Sequence, residues 1–216
     1  MTDSLRLWGR ATSVNVQKVA WVVAELTLKC ERIDAGGKFG GLTDPAFIQM
    51  NPNKRVPTLM DGELILWESN AICRYLADAY GQPNTLKSES IGERAQADMW
   101  MEWFQSNVYA HFITVFYQAV RLPPSQRNPD KKATALDALC SSLKIFDAQL
   151  AHQRFICGDH LTLGDIPTGS CLYRFFTLDI NRPALPNLER YYRGLQKRQA
   201  YHDHVMIDFS SLAGID

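Results

Sequence analysis

Residues 51–70, reading NPNKRVPTLMDGELILWESN, constrain the fold more than any other part of this chain. Val56-Pro57-Thr58-Leu59-Met60 reads as one strand, Asp61-Gly62 as a two-residue hairpin turn, and residues 63–67 as the returning strand. Pro57 has no N–H to give a ladder, so it belongs at an edge, at a first strand position, or in a cis bond in a tight turn. Glu68-Ser69 opens a helix on which Ile72, Tyr75, Leu76 and Ala79 recur along one face. A helix N-terminus is positively polarised and carries unpaired backbone N–H groups, which suits a bound carboxylate.

The preceding chain supplies the rest of one sheet. Leu5, Trp8 and the residues between them read as a first strand, residues 9–12 as a turn, and Ser13 as an N-cap or first-turn residue. Val16, Val19, Ala20, Val23 and Leu26 then repeat at helical spacing, and a second strand is expected over residues 30–34. The order is β-α-β followed by β-β-α, a thioredoxin-like topology covering roughly the first 80 residues. Residues 35–41 (AGGKFGG) lack the GK[ST] ending of a P-loop and the GxGxxG of a dinucleotide fingerprint. They read as a mobile loop over a cleft, with Lys38 as a candidate partner for a ligand carboxylate.

Beyond residue 81 the pattern changes. Residues 82–90 have linker composition, and only helical periodicity follows. Residues 91–122 read as one long aromatic helix stopped by Pro123-Pro124, residues 131–153 as a second helix and residues 186–198 as another. Thr162 and Asp165 in LTLGDI fit a capping box, with Leu161 and Ile166 as its hydrophobic staple. The expected architecture is an α/β thioredoxin-like domain over 1–81, a linker over 82–90 and an all-α helical domain over 91–216.

Several classes of function are disfavoured. Lys plus Arg (23) balances Asp plus Glu (23), which removes the electrostatic case for nucleic acid as a principal partner. No apolar run reaches the length of a membrane span, and no charged segment leads into an apolar one at the N-terminus. The five cysteines, Cys30, Cys73, Cys140, Cys157 and Cys171, are scattered without a CxxC pair, so no zinc ribbon, metal site or dithiol motif is expected. They read as small buried hydrophobes in a reducing compartment, with the cytoplasm as the expected location.

The Val56-Pro57-Thr58-Leu59 strand start, the hairpin, Glu68-Ser69 and the later capping box, in this order, resemble the cytosolic glutathione transferases over the whole chain. The early run GRATSVNVQKV is similar to a bacterial, theta-like, serine-using branch of that family. The resemblance implies that Val56 and Pro57, joined by a cis bond, present backbone to the cysteinyl unit of glutathione. Glu68 and Ser69 would hold its γ-glutamyl end. Lys54 or Arg55, or Lys38 from the glycine-rich loop, would meet the glycyl carboxylate.

The chemistry so implied needs a thiolate. A free cysteine thiol has a pKa of about 8.5, so only a few per cent is nucleophilic at neutral pH. A hydroxyl donor beside a helix N-terminus lowers that value by stabilising the anion. Ser13 fits that role, with helix capping as its purely structural alternative. Where serine-using relatives often read Ser-x-Pro, this chain reads Ser13-Val14-Asn15, so the amide of Asn15 is a second candidate for the contact with sulfur. Arg10, His111, Phe112, Val115 and Phe116 are the expected walls of the pocket for a hydrophobic electrophile. Arg74 is expected to reach Asp98 or Glu102 across a homodimer interface, or else to be a surface charge. A glutathione-dependent disulfide reductase or peroxidase, and a non-catalytic binding module on the same fold, are the alternatives to transfer.

Overall fold

The structure, a computed structural model, describes residues 5–82 and 86–215. Pro83, Asn84 and Thr85 of the expected linker lie outside the described residues, as do residues 1–4 and Asp216.

Four strands form one mixed sheet in the order β2-β1-β3-β4. β1 (Leu5–Trp8) lies parallel to β2 (Cys30–Ile33), and α1 (Val14–Glu25) makes the crossover between them. β3 (Thr58–Asp61) runs antiparallel to β1, and β4 (Leu64–Trp67) returns beside it as the hairpin. Burial alternation sets the register. Leu5 and Leu7 are buried while Arg6 between them is exposed, and Leu7 faces Leu59. A one-residue slip of β1 would drive Arg6 into the core.

This is the topology read from the sequence, with two refinements. Val56 and Pro57, joined by a cis peptide bond, precede the ladder, which starts at Thr58. A short helix, α2 (Pro45–Met50), fills the segment between the glycine-rich loop and Asn51. Pro45 at its first turn loses no intrahelical bond there. α3 (Ser69–Tyr80) opens where expected, with Glu68 as its N-cap.

The remaining long elements among the described residues are helices: α4 (Ile91–Asn107), α5 (Tyr109–Phe116), α6 (Pro129–Gln149), α7 (Asp165–Thr177), α8 (Pro186–Gln196) and α9 (Gln199–His204). The single helix expected over 91–122 is divided at Val108 and ends in a π-helical turn over residues 117–121. Side chains just before the break compete for the backbone. Ser106 Oγ donates to the Glu102 carbonyl at 2.7 Å and Asn107 Nδ2 to the Trp103 carbonyl at 3.2 Å. The Asn107 carbonyl freed there accepts from Ser142 Oγ of α6 at 3.0 Å. α6 starts two residues earlier than expected because Asn128 caps it, accepting from the Lys131 N–H at 2.9 Å, with Pro129 following.

The expected capping box at Thr162 and Asp165 takes a modified form. The buried Asp165 carboxylate accepts from the Thr162 N–H (2.8 Å), the Ile156 N–H (2.9 Å), the Thr162 hydroxyl (3.0 Å) and the Tyr191 hydroxyl (3.0 Å). The Thr162 hydroxyl therefore donates to the carboxylate instead of capping the helix, and the Asp165 N–H bonds the Thr162 carbonyl at 3.1 Å. Burial pushes the Asp165 carboxyl up in pKa, and these four donors pull it down. Leu161 and Ile166, the staple pair, are both buried.

α1 joins the two halves of the chain, packing on α3 and also on α7 and α9. Trp21 is fully buried edge-on to Tyr201, with ring centroids 4.9 Å apart. At the end of α1, Glu25 receives both arms of Arg198 at 2.7 and 2.6 Å, and also the Trp21 indole N–H at 2.8 Å. Arg74 pairs with Asp98 and Glu102, each at 2.6 Å, within the same chain. These bonds tie α3 to α4. Among the described residues no helix is long and apolar enough to cross a membrane.

Candidate active site

The site begins at the turn from β1 into α1. Gly9 sits at φ +152°, and a Cβ there would stand 2.3 Å from Val16 Cγ2 and 3.2 Å from Val56 Cβ. Only glycine lets this turn lie against both α1 and the segment of the cis bond. Ser13 is the N-cap of α1 in extended geometry, yet its side chain makes no capping bond. Its hydroxyl is thus uncommitted to the helix and half-exposed beside the first free N–H groups of α1.

Asn15 sits at the seam between the two halves. Its Nδ2 donates to the Tyr109 hydroxyl of α5 at 3.1 Å, and its Oδ1 accepts from Ser69 Oγ at 3.4 Å. Burial raises the Tyr109 pKa, so the phenol keeps its proton and can itself donate. Beneath them lies Lys18, fully buried, with Nζ 3.4 Å from Asn70 Oδ1 and 5.2 and 5.4 Å from the Phe104 and Tyr109 ring centres. Desolvation lowers its pKa, the ordinary result of burying an ammonium.

The loop before the cis bond is fixed by Asn51, whose side chain is almost wholly buried. Its Nδ2 donates to the Arg55 carbonyl (2.9 Å) and Thr58 Oγ (3.1 Å), and its Oδ1 accepts the Asn53 N–H (3.0 Å). Lys54 and Arg55 on that loop are exposed. Glu68 is held at φ +72°, ψ +110°, a conformation costing a non-glycine residue of order 1–3 kcal/mol. That strain turns the chain from β4 into α3, leaving Glu68 exposed and Ser69 buried at the helix start.

A cavity of about 310 Å³ lies between the halves, with Ser13, Asn15, Arg10, Lys54, Arg55 and Val56 on its wall from one half. Tyr109, Ile113, Phe116, Tyr117, Arg121, Arg174 and Leu212 line it from the other. Glu68, Ser69 and Pro57 are not on this wall, although Ser69 is joined to it through Asn15. Lys38 belongs to an adjoining cavity of about 230 Å³, where its Nζ lies 5.2 Å from the Phe39 ring centre.

Of the expected electrophile walls, Arg10 and Phe116 line the cavity, whereas His111, Phe112 and Val115 do not. Phe112 and Val115 are buried on α5, which packs on α6. The face turned to the cavity is Tyr109, Ile113, Phe116 and Tyr117, continued by Arg121, positions three and four apart. Their spacing was available in the sequence; which face turned inward was not. Arg174, Leu212 and Lys18 carried weaker signals, the clearest being Lys18 as a lone charge inside an apolar helix.

The protein's own thiols are poor nucleophiles. Burial pushes Cys73 and Cys171 up to about 12, and Cys30 and Cys157 to about 11. Among the described residues no group of three or more His, Cys, Asp or Glu side chains converges as a metal site. The cavity thus offers hydrogen-bond donors and cations around a space for a substrate, with no cysteine on its wall.

Comparison with known proteins bears on what that substrate is. A family model described as the glutathione S-transferase N-terminal domain matches residues 3–78, and one described as the C-terminal domain matches residues 115–194. Glutathione S-transferase GstB of Escherichia coli K12 is 40% identical over 212 residues, covering 95% of this chain and 100% of that protein. Glutathione S-transferase 3 of Zea mays is 30% identical over 163 residues, covering 74% and 73% respectively. The theta class glutathione S-transferase of Xanthomonas axonopodis pv. citri, solved with glutathione bound, superposes with a TM-score of 0.91 at 42% identity, covering 96% of this chain and 99% of that one.

Proposed function

The chain belongs to the glutathione S-transferase family, and from that premise we propose how its own residues carry the reaction. It is a transferase that moves glutathione, through its sulfur, onto an electrophile. The relatives' names favour this over the disulfide-reducing, peroxidase and non-catalytic readings.

In this reading Ser13 activates the thiol. The carrying observation is that the Ser13 hydroxyl stands at the N-terminus of α1, on the cavity wall, without a capping bond. A donor in that place is free to bond the sulfur, and the dipole of α1 adds to the stabilisation of the anion. Asn15 is a positioning residue, since its amide already donates to Tyr109 and accepts from Ser69. The buried Lys18 side chain lies beneath the same network, its Nζ 5.4 Å from the Tyr109 ring centre.

Glutathione itself would extend along the edge of the sheet. The backbone of Val56, before Pro57, pairs with its cysteinyl unit, and Glu68 and Ser69 hold its γ-glutamyl end at the start of α3. Lys54 and Arg55, exposed on the loop that Asn51 fixes, meet the glycyl carboxylate. Residues 1–81 would then form the glutathione-binding domain, 82–90 the linker and 91–216 the domain that receives the electrophile. A cytoplasmic homodimer acting in detoxification completes the reading. Leu64 and Trp67 of β4 and Ile91 and Met99 of α4 leave exposed apolar surface that a second copy would cover.

Titration of the bound thiol tests the assignment. In the wild type the thiol pKa of bound glutathione should fall well below about 8.5. Ser13→Ala should return it toward that value and lower kcat/KM by about 10²–10³-fold, while Asn15→Ala has the smaller effect on the pKa. If Asn15→Ala abolishes the shift and Ser13→Ala leaves it, Asn15 is the activating group. Failure of calorimetry to detect glutathione binding would remove the reading altogether.

A further inference from the structure

Three arginines line the cavity together, and among the described residues none has an acidic ion-pair partner. Arg10 leaves the β1–α1 turn, Arg121 ends the π turn after α5, and Arg174 comes from α7. All three line the cavity that holds Ser13, and Arg10 and Arg121 also line the adjoining one. Among the described residues, no carboxylate forms an ion pair with any of them. Asp34, the one acid on the adjoining wall, is taken by Arg32.

Arg174 is the most committed. It is 3% exposed, donates one Nη2 hydrogen bond to the Thr12 carbonyl at 2.6 Å, and lies 4.6 and 5.6 Å from the Phe116 and Phe209 ring centres. Its Nε is buried without a partner, and so is the Nε of Arg10. Arg10 lies along Gly36 and Gly37, where added Cβ atoms would stand 3.1 and 3.3 Å from its side chain. The glycine-rich loop therefore makes a seat for a guanidinium. Desolvation and repulsion from the neighbouring arginines lower the pKa of Arg10 and bring Arg174 down to about 10, which still leaves Arg174 charged at neutral pH.

Uncompensated, partly desolvated cations are costly unless an anion completes them. The fork of a guanidinium matches the two oxygens of a carboxylate. Ile113, Phe116, Tyr117 and Leu212 on the same wall offer apolar and aromatic surface beside that charge.

We propose that the electrophile taken by this enzyme has an apolar or aromatic body and a carboxylate, and that Arg10, Arg121 and Arg174 hold the carboxylate while the body lies against α5. This rests on the transferase reading above and adds the substrate class to it. With an aryl chloride, the glutathione sulfur forms the new C–S bond at the carbon bearing chlorine, chloride leaves with the bonding pair, and the thiol proton goes to solvent. A glycyl carboxylate of glutathione reaching these arginines is the rival source of the same anion.

The test uses full-length protein and matched probes. Non-reactive 3,5-dinitrobenzoate and its methyl ester are titrated calorimetrically into enzyme saturated with glutathione, and 4-chloro-3,5-dinitrobenzoate and its methyl ester are compared in turnover. The acid should bind about ten-fold more tightly than the ester, and Arg121→Met should reduce that preference to under two-fold. Wild type alone decides the matter if Arg121→Met does not fold: equal binding of acid and ester overturns the proposal. So does a preference that survives Arg121→Met, or an acid that binds free enzyme and is expelled by glutathione, which would assign the arginines to the glycyl carboxylate. Tight binding of the acid without turnover of either chloride would leave the anion site standing and sink the transferase reading instead.

Discussion

The two walls of the cavity are built by different means. On the sheet side, position is set by backbone: the Gly9 turn against Val56, Ser13 at the start of α1 and the Asn51-braced loop that carries Lys54, Arg55 and Val56. On the helical side, position is set by long side chains from α5, α7 and the C-terminal segment, with Arg174 reaching back to Thr12 across 162 residues of chain. Backbone placement tolerates few substitutions at the turns that create it. Side-chain placement permits the wall to change residue by residue while the helices stay put. The first wall therefore suits an invariant co-substrate, and the second suits a substrate that differs from one relative to another.

If the helical half folds independently of its cavity-facing side chains, its largest single sensitivity should lie away from the cavity. Asp165 is that residue: fully buried, absent from the cavity wall and bonded by four donors. Asp165→Ala leaves the Ile156 N–H and the Tyr191 hydroxyl buried, and the Thr162 N–H part-buried, without their acceptor. Urea unfolding should show a loss of about 3–5 kcal/mol, with kcat/KM per folded molecule close to wild type. A loss below about 1 kcal/mol would mean that this box does not anchor the helical half.

That contrast also governs what could be read from the chain. The sheet, its hairpin and the start of α3 were legible because turn chemistry and period-two alternation are local, and Pro57, Gly62 and Ser69 announce them. Asp165 was legible for the same reason, although Tyr191 and Ile156, its distant partners, were not. On α5 the aromatic stripe was evident but its orientation was not: Phe112 and Tyr109 are equally apolar in pattern, and only packing on α6 decides which is core. The break at Val108 depends on Ser106, Asn107 and the distant Ser142, so no local period reports it. The arginine trio draws on positions 10, 121 and 174, a combination that only the tertiary fold assembles.

In the sheet half the sharpest probe is Glu68, off the cavity wall, a strained residue proposed to hold the γ-glutamyl end of glutathione. Glu68→Gly should release the cost of the positive φ, partly offset by the greater freedom of glycine in the unfolded chain. A net gain of about 1 kcal/mol in unfolding free energy is expected, together with a rise of at least about ten-fold in the KM for glutathione as the carboxylate is lost. Stability and affinity thus move in opposite directions. If both fall, the strain at Glu68 is not what the site stores.

The seam between the walls yields the smallest effect and the one with a pH signature. Tyr109→Phe removes the acceptor for Asn15 Nδ2, a part-buried bond whose loss should cost about 1 kcal/mol at pH 7. Burial raises the Tyr109 pKa, so the folded state holds the phenolic proton more tightly than the unfolded chain, which releases it near pH 10. Between those two values the unfolded state binds fewer protons, and wild-type stability falls as pH rises. Phenylalanine has no proton to lose, so the wild-type advantage over Tyr109→Phe should hold constant below about pH 9 and shrink by more than half by about pH 10.5. Urea unfolding of the pair at both pH values reads the difference directly, because the other tyrosines titrate alike in each. An advantage that persists undiminished at the higher pH would mean that the phenol is not desolvated, and that the seam between the sheet wall and the helical wall is open to water.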